Sequence, residues 1–297
     1  MPSPSPLAYW SGIDAKDLLA LEPLGGDQFR ATVAEANYSG AVFGGQFLAQ
    51  ALAAASATVP SDHLVHAAHA FFLAPGRLGE ELTYTVTRLR NGQSTSARRV
   101  TALQKRGPLF EMVCTFATFR EGPAHSRPAP DNIPSVDQCQ DIVDYILAKG
   151  PALPAFSGEI FGRRRPLERR LVDPDAMFLH TGPPRRATWL RLSSAAAIDD
   201  PAMLRCLIAY LSDAFLFGVA MAPHVVPGAD ARIRFASLNH ALWLHRAPRL
   251  DDWVLFVTES PWAGQGRGLG RGLLYTRSGE LIATVAQEGV MLPRSGS

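Results

Sequence analysis

The chain has 297 residues, 47% of them hydrophobic, and a formal net charge of +2. That length supports one large or two ordinary globular domains, each with its own core, and makes disulfide or metal staples unnecessary. The small charge argues against a nucleic-acid partner; the separated cysteines Cys114, Cys139 and Cys206 form no Cys-x-x-Cys spacing, and no metal or cofactor is implied.

In chain order, Met1-Pro-Ser-Pro-Ser-Pro6 lacks the basic start and apolar stretch of a secretory signal, so a cytoplasmic protein is expected. Ala41–Ala57 is uncharged and Ala-rich, which predicts a helix packed closely on a sheet. Leu64–Leu73 reads as a strand, whose alternation sends His66 and His69 to opposite faces, where they cannot chelate one ion together. Leu82–Leu89, Thr95–Leu103 and Leu109–Phe119 follow as antiparallel strands. The organisation expected is a domain over residues 1–120, a Pro-rich linker over 121–160 with one helical patch, Val136–Ala148, and a second domain over 161–297.

The second half repeats the first. Cys206–Ala222 predicts another buried helix, and its one carboxylate is Asp213. An unpaired buried carboxylate is costly, so Asp213 must find partners or serve chemistry. The run is short for a membrane span, and an Asp in mid-bilayer would cost about 3 kcal/mol, so no span is expected. Strands follow at Ile233–Leu244, Trp253–Glu259, Leu269–Thr276 and Leu281–Met291. His69-Ala-Phe-Phe-Leu and His240-Ala-Leu-Trp-Leu lie 240 − 69 = 171 residues apart, and Gly92 and Gly264 lie 264 − 92 = 172 apart. The helices fit less well, since Gln46 placed over Asp213 gives 213 − 46 = 167. The pattern predicts an α+β architecture of two tandem repeats, each a long central helix wrapped by a curved antiparallel sheet.

No Gly-x-Ser-x-Gly nucleophile elbow occurs. The glycines at 264, 266, 268, 270 and 272 fall in a β region, where they either bare one sheet face for close approach or form a flexible loop. Strand parity puts Ser237 and Asn239 on one face of their strand, opposite Leu238 and His240, and puts Val285, Gln287 and Gly289 on one face of the final strand, opposite Ala286 and Glu288. Asp213, Ser237 and Gln287 together offer a base and two polar groups able to hold one water. The alternative is a satisfied buried carboxylate beside two structural polar groups.

At these residues the chain resembles the acyl-CoA thioesterase II family, from about Leu18 to Leu292. The strings that carry the resemblance include Val42-Phe-Gly-Gly-Gln46, Phe72-Leu-Ala-Pro-Gly76, Tyr210-Leu-Ser-Asp213, Ser237-Leu-Asn-His240 and Val285-Ala-Gln-Glu-Gly-Val290. The resemblance implies a double hotdog fold and hydrolysis of fatty acyl-CoA to free acid and CoA. It assigns Asp213 as general base toward a water held by Ser237 and Gln287, with no covalent intermediate. Gly44, Gly45 and Gln46 become substrate-binding candidates at a helix start suited to an oxyanion. Arg98, Arg99, Arg267 and Arg271 become candidates for the CoA phosphates, and Phe43, Phe47, Phe215 and Phe217 for the acyl channel.

With Gln46 taken as the counterpart of Asp213, one working site per chain is expected. A homodimer or homotetramer is expected from the habits of hotdog proteins. Two departures from relatives stand out: Asn239 replaces a common Asp, and the Arg294-Ser-Gly-Ser297 ending lacks a peroxisomal signal. A hotdog enoyl-CoA hydratase and a non-catalytic acyl-CoA binding protein are the alternatives.

Overall fold

A computed structural model describes residues 8–153, 157, 161–162, 164–226 and 233–293. Met1–Pro6, the Pro227–Gly228 step and Arg294–Ser297 lie outside them. The helices discussed are α1 (Gly44–Ser56), α2 (Ile142–Lys149) and α3 (Pro201–Ser212). The strands are β1 (Leu21–Gly25), β2 (Gln28–Ala31), β3 (Leu64–Phe72), β4 (Thr83–Asn91), β5 (Thr95–Gln104), β6 (Gly107–Ala117) and β7 (Glu168–Leu171). They continue as β8 (Arg185–Arg191), β9 (Ile233–Ser237), β10 (Asn239–Leu244), β11 (Val254–Gly264), β12 (Arg267–Thr276) and β13 (Leu281–Pro293).

Two compact units result, and neither is a single run of chain. The first holds Met1–His125, Ser194–Ala214 and Asn239–Arg249; the second holds Ser126–Ser193, Phe215–Leu238 and Leu250–Ser297.

In the first unit an antiparallel sheet runs β1-β2-β4-β5-β6-β3-β10. Helix α1 lies on it, burying Phe47, Leu48, Ala51, Leu52 and Ala55. Its alanines keep the surface shallow, so the helix and sheet approach closely and α3 packs beside α1. Arg205 fixes α3 further, donating from Nη1 to the carbonyls of Val65 (2.9 Å) and Leu244 (3.0 Å). One expectation fails in β3. The pairing steps from Val65 to Ala67, so His66 is a bulge residue, and both His66 and His69 are exposed rather than on opposite faces.

In the second unit the order is β13-β12-β11-β8-β7, with β9 on the other side of β13, all antiparallel. The Pro-rich segment covers one sheet face: Val136 and Cys139 pack with Trp189, Trp253, Leu255 and Tyr275, and the Trp189 indole donates to the Pro134 carbonyl at 3.1 Å. Against the other face lies a short 3₁₀ helix, Phe217–Met221.

The continuous helix predicted over Cys206–Ala222 is not formed. α3 stops at Ser212, Asp213 is its C-cap, and Phe215 takes a left-handed φ of 61° before the 3₁₀ helix begins. A non-glycine residue in that region ends a helix decisively. The stretch Pro201–Met221 is apolar enough to cross a membrane by composition, with mean hydropathy 1.6, yet 72% of it is buried within the protein. The two helices do not follow the strand offset of 171: α1 begins at Gly44 and α3 at Pro201, 201 − 44 = 157 residues later.

Candidate active site

The first turn of α1 is bare of its own compensation. Phe43 is its N-cap and makes no side-chain cap hydrogen bond, and no acidic residue lies in the first turn. The leading N–H groups of a helix have no intrahelical partner, and the helix dipole is positive there. Into this end comes the C-terminus of α3. A Cβ on Gly44 would lie 2.7 Å from Oδ2 of Asp213 and 3.2 Å from the Phe72 ring. A Cβ on Gly45 would lie 2.5 Å from the Tyr210 carbonyl. The two glycines are thus required by close approach: they let the end of one helix reach the start of another. Asp213 itself is half-buried, not fully enclosed as its apolar setting suggests.

Four polar side chains brace this junction, of which Glu35 is the one the sequence did not single out. Glu35, only 4% exposed, accepts a 2.5 Å hydrogen bond from the Tyr210 hydroxyl, one helical turn before Asp213. The Phe43 ring sets its edge against Tyr210 at 5.3 Å. On the other side of Asp213 in sequence, Ser212 donates to the Ala209 carbonyl (2.8 Å), which leaves its Oγ to accept from Nε2 of His240 at 2.9 Å. Nε2 therefore carries the His240 proton. Burial pushes the His240 pKa down to about 3, so the ring is neutral at ordinary pH and is poorly suited to donate a proton.

In the second unit, Ser237 pairs with Gly289 across β9 and β13, and Gln287 pairs with Gly270 across β13 and β12. Residues two apart on a strand share a face, so Ser237 and Gln287 are diagonal neighbours on one side of the sheet. Gln287 is buried at 1% exposure and Ser237 half-buried. The glycines beside them answer the question of the glycine run. A Cβ on Gly270 would lie 2.5 Å from the Leu216 carbonyl, on Gly268 2.7 Å from Ala220, and on Gly289 2.7 Å from the Phe217 ring. This bare face therefore admits a neighbouring backbone, while Gln265 (φ 51°) and Gly266 (φ 72°) make the hairpin turn. The structure thus brings Ser237 and Gln287 together within the second unit, and sets Asp213 at Gly44 within the first.

Two binding candidates are corrected. Arg98 is 1% exposed and committed to the fold: its guanidinium donates to Thr58 Oγ1 (2.7 Å) and to the carbonyls of Thr58 (2.8 Å), Arg90 (2.8 Å) and Ala97 (2.9 Å). Four of its five N–H donors are used within the fold, and its burial keeps the guanidinium from a phosphate. Gln46 is likewise engaged, accepting from the Glu35 N–H (2.6 Å) and donating to the Val33 carbonyl (2.9 Å) and to Gln50 (3.0 Å), while its own N–H donates to Phe43 (3.1 Å).

The other candidates keep open positions. Arg99 is exposed; Arg267 pairs with Glu288 (3.0 Å) and Arg271 with Glu259 (2.6 Å) at the surface. Asn239 starts β10 half-buried, opposite Phe71. Phe47 stacks on Phe110 in the core at 5.6 Å, so it is a packing residue first. Burial pushes the thiols of Cys114 and Cys206 up to about 12, which leaves them unreactive. Among the described residues no cluster of His, Cys, Asp and Glu is arranged to hold a metal ion.

Comparison with known proteins bears on the same residues. Residues 33–119 match the family model described as acyl-CoA thioesterase N-terminal domain, and residues 137–291 match acyl-CoA thioesterase C-terminal domain. The chain is 34% identical to acyl-coenzyme A thioesterase 8 of Rattus norvegicus, over 92% of this chain and 87% of that protein. The crystal structure of an acyl-CoA thioesterase II of Mycobacterium marinum superposes with a TM-score of 0.76 at 30% identity, covering 95% of this chain and all (100%) of that one. A hotdog-fold protein of Alicyclobacillus acidocaldarius, 18% identical, superposes at 0.73 over 94% of this chain and 97% of its own, which speaks to the fold alone. With both domain models matched in order along a double hotdog fold, this chain belongs to the acyl-CoA thioesterase II family and is an acyl-CoA thioester hydrolase.

Proposed function

We propose that the chain hydrolyses fatty acyl-CoA to the free acid and CoA by direct attack of water, with Asp213 as general base and with Ser237 and Gln287 orienting the water. In this reading Asp213 takes a proton from water, the oxygen attacks the thioester carbon, and the tetrahedral oxyanion then expels the CoA thiolate, which recovers the proton from Asp213. No covalent intermediate forms. A hydroxyl and a carboxamide both accept and donate, so Ser237 and Gln287 have the chemistry to fix a water.

The observation that carries the reading is the Asp213 carboxylate set against Gly44, at a helix start with no side-chain cap and no acidic residue in its own first turn. Backbone amides at a helix start, such as those of Gly44 and Gly45, suit a developing oxyanion.

The test is thiol release from acyl-CoAs of graded length by wild type, Asp213→Asn, Ser237→Ala and Gln287→Ala. Loss of a general base lowers kcat by about 10²- to 10⁴-fold. Wild-type turnover by Asp213→Asn refutes the assignment, and unchanged kcat in the other two variants removes them from it.

A further inference from the structure

Among the described residues, no acidic side chain pairs with Arg186, a half-buried cation of the second unit. It lies on β8 opposite Thr258 of β11, and Thr258 lies opposite Gly272 of β12. Facing residues on paired strands share a face, so Arg186 points to the side that carries Gly268, Gly270 and Gly272 and receives the 3₁₀ helix. Its Nη1 reaches to 4.0 Å from where a Gly218 Cβ would sit. The residue is half-buried, and desolvation alone pushes its pKa down to about 10, leaving it protonated at neutral pH.

Four arginines elsewhere in this unit have acidic partners: Arg191 with Glu168, Arg267 with Glu288, Arg271 with Glu259, Arg277 with Asp137. Arg186 has neither an ion pair nor a side-chain hydrogen bond among the described residues; only its carbonyl is engaged, by the Thr258 hydroxyl at 3.4 Å. An unpaired charge in a desolvated position is a net cost to the free protein. Such a group is well explained where a ligand completes it, and a guanidinium matches a carboxylate or a phosphate through two parallel hydrogen bonds.

We propose that Arg186 is an anion-recognition residue of the substrate site, binding an anionic oxygen group of the acyl-CoA. The inference rests on the thioesterase reading for its ligand. An acyl-CoA carries two sources of such oxygen: the phosphates of CoA, and the far carboxylate when the acyl chain is a diacid.

Three substrates separate the sources: a methyl-ended acyl-CoA, a carboxylate-ended acyl-CoA of equal length, and the methyl-ended acyl group on pantetheine, which has no phosphate. Arg186→Gln is expected to raise KM tenfold or more for the substrates bearing the bound anion, with kcat within about threefold, and Arg186→Lys to recover part of the loss. A rise for both CoA thioesters that spares acyl-pantetheine assigns a phosphate; a rise confined to the carboxylate-ended substrate assigns the diacid. An equal change on all three, or no change on any, overturns the proposal. Because the charge lacks an acidic partner among the described residues, Arg186→Gln is expected to melt no lower than wild type, and a Tm lower by more than about 5 °C indicates a structural arginine and overturns the proposal. If wild type releases no thiol from any substrate, the hydrolase reading fails on its own. Calorimetric titration of free CoA and of adipate into wild type and Arg186→Gln then decides: weaker binding of either by the variant upholds the anion site, and identical isotherms for both refute it.

Discussion

Replacing Gly44 with Ala tests the helix junction without touching an ionisable group. The added methyl would sit 2.7 Å from Oδ2 of Asp213 and 3.2 Å from the Phe72 ring. An ordinary contact needs about 3.4 Å, so the carboxylate must retreat by about 0.7 Å. The colliding atom is the end of a side chain, which moves cheaply by rotation. Alanine also favours a helix over glycine by up to about 1 kcal/mol, so net stability changes by no more than about 1 kcal/mol. Catalysis is less forgiving, because a displacement of about 1 Å at a reacting group costs about 10²-fold. The expected result is kcat lowered by about 10- to 100-fold, or about 1.4–2.7 kcal/mol in the barrier, with urea unfolding nearly unchanged. Gly45→Ala is the contrast: its methyl meets the Tyr210 carbonyl at 2.5 Å, a backbone atom that cannot rotate away, so it costs about 1–3 kcal/mol of stability as well. Wild-type kcat in Gly44→Ala refutes a catalytic role for the carboxylate at that place.

Two further outcomes are expected. Arg98→Met removes the donor for three buried carbonyls and a hydroxyl and should cost about 2–4 kcal/mol in urea unfolding while leaving KM for acyl-CoA unchanged; a raised KM in a protein of wild-type stability would restore Arg98 as a CoA contact. His240 has its folded pKa lowered to about 3 from 6.5, so its contribution is full above 6.5 and is lost as pH falls toward 3, where the unfolded chain binds a proton that the native state refuses. The loss is about 1.4 kcal/mol per pH unit, and His240→Gln should flatten the stability slope between pH 6 and 4 by about that amount, whereas equal slopes for the two proteins contradict a buried neutral ring.

Much of this was legible in the residues, and the failures have physical causes. Period-two alternation gave the strands, and the isolation of Asp213 in an apolar run drew attention to the carboxylate that lies against Gly44. Arg98 was misplaced although its own strand held the clue: it shares parity with Val100 and Ala102, both fully buried, so β5 turns it inward. The His66 bulge and the left-handed Phe215 have no Gly, Pro or Asn to announce them. Glu35 stands in a turn-like string, and its burial depends on a tyrosine 175 residues away, a partnership no local pattern contains.

The break after Ser212 changes why Asp213 can serve as a base. In the middle of a helix apolar all round, a carboxylate would be stripped of water on every side and would need a full set of compensating partners. At the C-cap it keeps partial exposure, as its half-buried state shows, so its desolvation cost is smaller. Its position is nevertheless fixed from both directions. The Tyr210–Glu35 and Ser212–His240 hydrogen bonds hold the last turn of α3, and the left-handed Phe215 prevents the helix from extending past it. An acid at such a break combines access for solvent with a defined place, two properties that a fully buried side chain and a mobile surface one each lack. That combination, more than the apolar run itself, suits this carboxylate to the role of base proposed for it.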